Sequence, residues 1–367
     1  MAGSGFGTKF SNYNMRGETH GAGVGVVVDG CPAGLPLERE DVQKYLDRRK
    51  PGQSKYTTQR KEGDQVEILS GIFEGRTTGT PISMVVYNKD QRSKDYSNIK
   101  DIYRPGHADF TFDMKYGFRD YRGGGRSSGR ETIGRVAAGA VAAKVLKELG
   151  IEIKAYAKAI AGIEVSKDHF DFAEMNNNPF NMPDKEAAKL VQEKADQMIK
   201  EMDSIGGIIE CQITGMPVGI GETVFDKLDA ELSKAIMSIG SVKGFEIGDG
   251  FEAANLRGSE NNDDFICVDG KVAKETNHSG GVLGGMSDGS AIVFRAAIKP
   301  TPSIAQTQKT VNRDLDNVEI EIHGRHDPMI VPRAVVVVES MAAVTILDGV
   351  LKNLGATMDN IKKIYGE

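Results

Sequence analysis

The chain has 367 residues and a formal net charge of −6, an acidic balance that disfavours non-specific binding to nucleic acid. Hydrophobic residues make up 39% and charged residues 27%, as in globular proteins long enough to bury a sizeable core without staples. The opening MAGSGFGTKFSNYN lacks the apolar segment of a signal peptide, and no window approaches 18 apolar residues, so neither export nor membrane insertion is expected.

In chain order, GVGVVVDG (23–30) reads as a strand and 39–49 as a helix. QVEILSGIFEG (65–75) and PISMVVYN (81–88) follow as strands, then helices over 130–149 and 184–203. The latter has apolar residues at helical spacing with charge elsewhere, which reads as a helix with one solvated face. GGIIECQITG (206–215) is a strand, 226–239 a helix, AIVFRAAIKP (291–300) and NVEIEIHG (317–324) strands, and 333–353 a closing helix. The segments 28–49 and 213–234 share an apolar lead-in, then G-x-P-x-G, then an amphipathic helix. With no linker between them, they predict two related halves folded together as one domain over 1–367. The mix of helices and antiparallel strand pairs is not a regular β-α alternation.

Familiar motifs are missing. There is no G-x-x-x-x-G-K-[ST] and no H-E-x-x-H, and GIGETV at Gly219 lacks the third glycine of a dinucleotide fingerprint. His20, His107, His169, His278, His323 and His326 have no metal-ligand spacing, so no metal site is expected. Cys31, Cys211 and Cys267 form no disulfide or zinc pattern and read as buried small hydrophobes in a reducing, cytoplasmic compartment. The 44 glycines in 367 residues, about 12% against roughly 7% on average, suit turns and close approach of backbone to a ligand.

The run RPGHADFTFDMKYGFRDYRGGGRSSGRET (104–132) gathers arginines and glycines in one place. Ser128 and Glu131 have capping-box spacing before a helix whose apolar face carries Ile133, Val136, Ala137, Ala140, Val141 and Val145, with Gly150 as its stop. A helix start behind a glycine-rich loop is an anion site, and Arg122, Arg126 and Arg130 add guanidinium forks suited to phosphate or carboxylate. Arginines this close repel one another unless an anion or an acidic partner is present. Arg48, Arg49, Lys55, Arg60, Arg104, Arg325 and Arg333 lie in other loops beside Pro and Gly. His20 and His107, in glycine-bounded loops, are either structural or proton-transfer groups. From the residues, this is an enzyme or binding protein for a polyanionic, phosphorylated ligand; the reaction is not specified.

GETHG (17–21), the 104–140 block, RHDPMIVPRAVVVVESMAAV (325–344), LDRRKPG, YTTQR, LSGIFEGRTTGTPI and VKGFEIGDGF resemble the chorismate synthase family over essentially the whole chain. Two positions depart from the family's usual pattern: Thr19, where Ser is usual, and Gly129, where Ala is usual. The resemblance implies an α+β fold, a β-α-β sandwich with helices between antiparallel sheets in two pseudo-symmetric halves, assembled as a cytoplasmic homotetramer. It implies a lyase that removes phosphate from 5-enolpyruvylshikimate 3-phosphate by anti-1,4-elimination to give chorismate, using reduced FMN without net redox change. NADPH would enter only indirectly, through an external flavin reductase. By position, His20 would be the acid for departing phosphate, His107 would protonate or polarise the reduced flavin, and Asp327 would relay the substrate proton. FMN contacts would come from Arg126, Ser127, Ser128, Gly240, Ser241, Gly284, Lys299, Pro300, Thr301, Pro302, Ser303 and Arg325. The glycines Gly281 and Gly285 also suit close approach to a flavin ring. Arg49, Lys55, Arg104, Arg130 and Arg333 would contact substrate anions.

Overall fold

The computed structural model describes residues 5–15, 21–58, 62–88, 99–322 and 327–366. Strands β1 (Gly5–Phe6), β2 (Ser11–Met15) and β3 (Gly23–Asp29) precede helix α1 (Arg39–Arg49). Then come β4 (Val66–Ile68), the hairpin β5 (Ile72–Phe73) and β6 (Arg76–Thr77), and β7 (Ile82–Tyr87). An antiparallel sheet in the order β1-β2-β3-β7-β4 results. Its period-2 pattern points Val24, Val26 and Val28 of β3, and Ile82, Met84 and Val86 of β7, into the core. Helices α2 (Asp109–Tyr116) and α3 (Thr132–Glu148) lead to the second half.

That half contains β8 (Glu152–Ile160), β9 (Ile163–Glu164), α4 (Lys185–Lys200), β10 (Gly207–Thr214), α5 (Leu228–Met237) and β11 (Val242–Ile247). After α6 (Gly258–Asn261) come the hairpins β12 (Phe265–Val268) with β13 (Lys271–Lys274), and β14 (Val282–Leu283) with β15 (Met286–Ser287). β16 (Ile292–Ile298), the hairpin β17 (Gln308–Val311) with β18 (Asn317–Ile320), α7 (Val331–Lys352) and α8 (Met358–Tyr365) complete it. A second antiparallel sheet runs β11-β16-β10-β8-β9. α3 packs on β2, β3 and β7, α7 packs on β8 and β10, and α3 and α7 pack on each other. Helices therefore lie between two sheets, in the α+β sandwich expected.

The internal likeness extends beyond the quoted segments. In the first half, Leu35 N–H donates to Thr77 Oγ1 (3.0 Å), and Thr77 Oγ1 donates to the Pro32 carbonyl (2.6 Å). In the second, Ile220 N–H donates to Ser287 Oγ (2.9 Å), and Ser287 Oγ donates to the Pro217 carbonyl (2.6 Å). The hairpins β5–β6 and β14–β15 thus clamp equivalent loops by equivalent bonds.

Several elements differ from the reading of the sequence. α2 and β8 were not foreseen. Ser128 caps its helix through Arg130 N–H (3.3 Å), but a short 3-10 turn (Gly129–Glu131) precedes α3. Glu131 pairs with Arg135 (2.9 Å) instead of completing the expected box. Cys31 and Cys211 are buried, whereas Cys267 on β12 is exposed, so the buried reading fails there. α7 is long and apolar enough to cross a membrane by length and composition, which corrects the reading that no window approached that length. It is instead the central core helix, with Val335 to Leu347 buried almost without interruption, and a helix apolar all round belongs inside a large core.

Candidate active site

Helix ends from both halves meet at one cavity. Arg49 ends α1, Ser128, Gly129 and Thr132 open α3, Ser238 to Ser241 follow α5, and Asp327 to Arg333 lead into α7. With the Arg104–Ala108 turn and Lys299 and Thr301–Ser303, they enclose about 570 Å³, the scale of a small-molecule site. Among the described residues, Arg49, Arg104, Arg126, Arg135, Lys243, Lys299 and Arg333 line it, against Glu131 and Asp327. The N-termini of α3 and α7 add the positive ends of two helix dipoles.

Most of the arginines have acidic partners supplied by the protein. Arg104 grips Asp109 with Nε (2.7 Å) and Nη2 (2.8 Å), and Arg119 Nη1 reaches the same carboxylate (2.8 Å). His107 Nδ1 lies 3.0 Å from Arg104 Nη2 and 3.1 Å from Asp109 Oδ1. Burial alone would raise the Asp109 carboxyl, but hydrogen bonds from Arg104 and His107 outweigh it and hold the group well below the usual carboxylate range. Arg49, with a side chain only 2% exposed, is pushed down to about 10 by burial, opposed by Asp64; it stays charged at neutral pH. Arg130 pairs with Asp64 (3.0 Å) and Glu62 (2.7 Å). Arg333 Nη1 donates to Asp327 Oδ2 (2.7 Å), and Thr58 N–H donates to Asp327 Oδ1 (2.8 Å). Arg122 pairs with Asp120 (2.6 Å) and does not line the cavity.

Of the residues named from sequence, Arg49, Arg104, His107, Arg126, Ser127, Ser128, Gly240, Ser241, Lys299, Thr301, Pro302, Ser303, Asp327 and Arg333 line the cavity. Arg130 lies behind Arg49, sharing its carboxylate. His20, Arg325 and Thr19 lie outside the described residues. Lys55 does not reach the cavity; its Nζ bonds Asp196 (2.7 Å) with the side chain 63% exposed. Pro300 is exposed and does not line the cavity, although Lys299 and Thr301 on either side of it do. Gly284 stands at the turn of β14–β15 with φ 60, where the first half places Glu74 with φ 48. Gly281 and Gly285 serve the same hairpin, since a Cβ on either would meet a carbonyl oxygen, that of Ala291 at 2.5 Å or Glu222 at 2.3 Å. Gly284 and Gly285 form the hairpin turn, Gly281 precedes β14, and none of the three lines the cavity.

Ser241 takes φ 74, an uncommon value for a residue with a Cβ. Its carbonyl accepts Lys299 N–H (2.9 Å), and Lys299 Nζ donates to the Gly106 carbonyl (2.8 Å), so the KPTPS and RPGHAD segments brace each other. The Thr301 hydroxyl in the wall is buried without a protein partner. At Gly129 a Cβ would meet open space, so that departure leaves the helix start unaltered. Sequence reasoning missed Asp64, Asp109, Arg135 and Lys243; the two carboxylates carried no motif, and their arginine partners were read as awaiting ligand.

A sandwich of two related halves, with helix ends framing a cationic cavity, is a scaffold for a small polyanionic ligand. The chorismate synthase family model matches residues 12–351. The chain is 67% identical over 365 residues to a chorismate synthase of Lachnospira eligens, with all of both chains covered. It is 55% identical to one from Methanococcoides burtonii, covering 96% of this chain and 97% of that one. A crystal structure of chorismate synthase superposes with a TM-score of 0.77 at 30% identity, covering 98% of this chain and 96% of that one. The chain belongs to the chorismate synthase family, and is a lyase of aromatic amino-acid biosynthesis acting on a small-molecule substrate.

Proposed function

We propose that the chain converts 5-enolpyruvylshikimate 3-phosphate to chorismate and phosphate by anti-1,4-elimination, with reduced FMN held in the same cavity. The cavity's charge carries this reading: among the described residues, seven cationic side chains face two carboxylates, for a substrate with two carboxylates and a phosphate beside a flavin phosphate. The wall also fits FMN. The unpartnered Thr301 hydroxyl, the hydroxyls of Ser127 and Ser128, Arg126, and the backbone at Gly240 and Ser241 offer what a ribityl chain and its phosphate require. Lys299, Pro302 and Ser303 flank them. When bound, reduced FMN supplies electron density to the reacting ring, with no net redox change.

Arg49, Arg104 and Arg333 hold the substrate's anionic groups, with Arg130 behind them. The C6–H bond breaks and its pair forms a C1=C6 double bond, the C1=C2 pair shifts to C2=C3, and the C3–O bond breaks with its electron pair leaving on phosphate. His20, assigned from its motif, protonates the departing phosphate. Asp327 relays the C6 proton, its carboxylate oriented by Thr58 N–H and Arg333. His107 Nδ1 is engaged with Arg104 and Asp109, so its Nε2 is the nitrogen left to face the flavin. The protein acts as a cytoplasmic homotetramer of single-domain chains and takes reduced FMN from an external flavin reductase, with NADPH involved only indirectly.

The test is anaerobic: purified protein, 5-enolpyruvylshikimate 3-phosphate and dithionite-reduced FMN. Chorismate and phosphate should appear in equal amounts, with neither formed on oxidised FMN and no NADPH oxidation above an enzyme-free control. Flavin binding without either product overturns the reading.

A further inference from the structure

Asp64 lies behind the cavity wall, its side chain wholly buried at 0% exposure. Its two oxygens are divided between two guanidinium groups: Oδ2 accepts Arg49 Nη2 and Oδ1 accepts Arg130 Nη1, each at 3.0 Å. The arrangement is extended on both sides. Glu62 pairs with Arg130 Nη2 (2.7 Å), and Arg333 Nε donates to the Arg49 carbonyl (3.0 Å). Asp64 also has φ 41, in the left-handed region that residues with a Cβ seldom occupy and that Asp and Asn tolerate best.

From this geometry we infer that Asp64 is a positioning residue for the substrate's anions, an inference that rests on the cavity being the substrate site. Two guanidinium groups brought together in a desolvated wall repel each other. A shared carboxylate cancels that repulsion and fixes both donors before a ligand arrives. Without it, the substrate would have to order both side chains on binding. The carboxylate also weakens the cavity's pull on anions in general. Removing its charge therefore has two opposite effects: any anion is attracted more strongly, while Arg49 and Arg130 lose their fixed orientation. A residue that only stabilises the fold gives no such split.

Asp64→Asn is the appropriate variant, because Asn keeps the size and tolerates φ 41. Calorimetric titration with inorganic phosphate and anaerobic steady-state turnover with reduced FMN are measured on wild type and variant, after thermal melting shows that the variant folds. The expected result is phosphate binding at least as tight as in wild type, kcat lower by tenfold or more, and no rise in KM, since misplacement of reacting groups falls on turnover. A folded variant with kcat within twofold of wild type overturns the inference, as does a joint loss of kcat and phosphate affinity. If wild type itself forms no chorismate, the functional reading fails, and the phosphate titration alone decides on Asp64: tighter binding supports the inference and weaker binding overturns it. If the variant does not fold, a wild-type crystal with phosphate decides. Arg49 and Arg130 both still on Asp64 support positioning; either one swung from Asp64 onto phosphate overturns it.

Discussion

Asp109 shows what one buried carboxylate does for the cavity wall. It receives Arg104, Arg119 and His107 at once, and Arg104 N–H as a fourth donor (3.1 Å). Its carboxyl is held below the ordinary range, so its contribution to stability is fully present above the unfolded value near 3.9 and is lost as pH falls through the lower folded value. Asp109→Asn takes the paired carboxylate from buried Arg104 and leaves buried Arg119 with Asp113 alone, at a cost of about 3–5 kcal/mol near neutrality. The melting temperature of the variant should therefore lie well below wild type at pH 7, and the gap should narrow progressively below about pH 4. A gap of constant size from pH 7 to pH 3 would show that the carboxylate's charge is not what matters.

Among the elements, the contact between α3 and α7 sets the thickness of the helix layer. A Cβ built on Gly139 would lie 2.2 Å from Ser340 Cβ and 2.5 Å from its Cα, a backbone-level clash. In an exposed helix Gly→Ala stabilises by about 1 kcal/mol; here Gly139→Ala should destabilise by about 1–3 kcal/mol or more. A melting curve distinguishes the two by sign, and a raised melting temperature would mean that the helices separate freely. Because α3 and α7 both begin at the cavity, flavin affinity should fall as well. Gly139 and the alanines around it leave α3 room for this close packing, but the partner on α7 lies 201 positions away and could not be read. Helix α2 was invisible for a different reason. It buries Asp109 and Asp113 against Arg104, Arg119 and Arg313 and exposes Phe110 and Met114, the inverse of the usual amphipathic pattern. Most helices and strands with apolar faces turned inward were legible in order and extent, although β8, which buries Ala155, Ala157, Ala159 and Ile160, was not. The same rule hid an element whose buried face is ionic, and with it Asp64 and Asp109, whose roles depend on arginines brought near only by folding.

For the whole molecule, the repeated loops raise the question whether the halves unfold separately. Each half has its own sheet and its own clamp, with Thr77 in one and Ser287 in the other. The connections across them are nonetheless extensive. Thr8, Lys9 and Phe10 N–H all donate to Asp348 Oδ1 near the end of α7 (2.9, 2.6 and 3.0 Å). Arg48 on α1 forms a two-pronged ion pair with Glu339 of α7 (2.7 and 2.8 Å), and α3 of the first half rests on α7 of the second. The first strands of the chain are thus tied to its last long helix, and neither half can lose its helix without exposing apolar surface of the other. Thr77→Val and Ser287→Ala each leave a buried amide without its hydroxyl acceptor and a part-buried carbonyl without its donor, at a cost of about 1–3 kcal/mol apiece. In a single cooperative unit each substitution lowers one calorimetric transition as a whole, and the double variant lowers it by nearly the sum, because the sites are far apart. If the halves were independent domains, each substitution would instead split the endotherm, moving one component and leaving the other in place. The interlocked N-terminus, the Arg48–Glu339 pair and the Gly139–Ser340 contact all predict one transition.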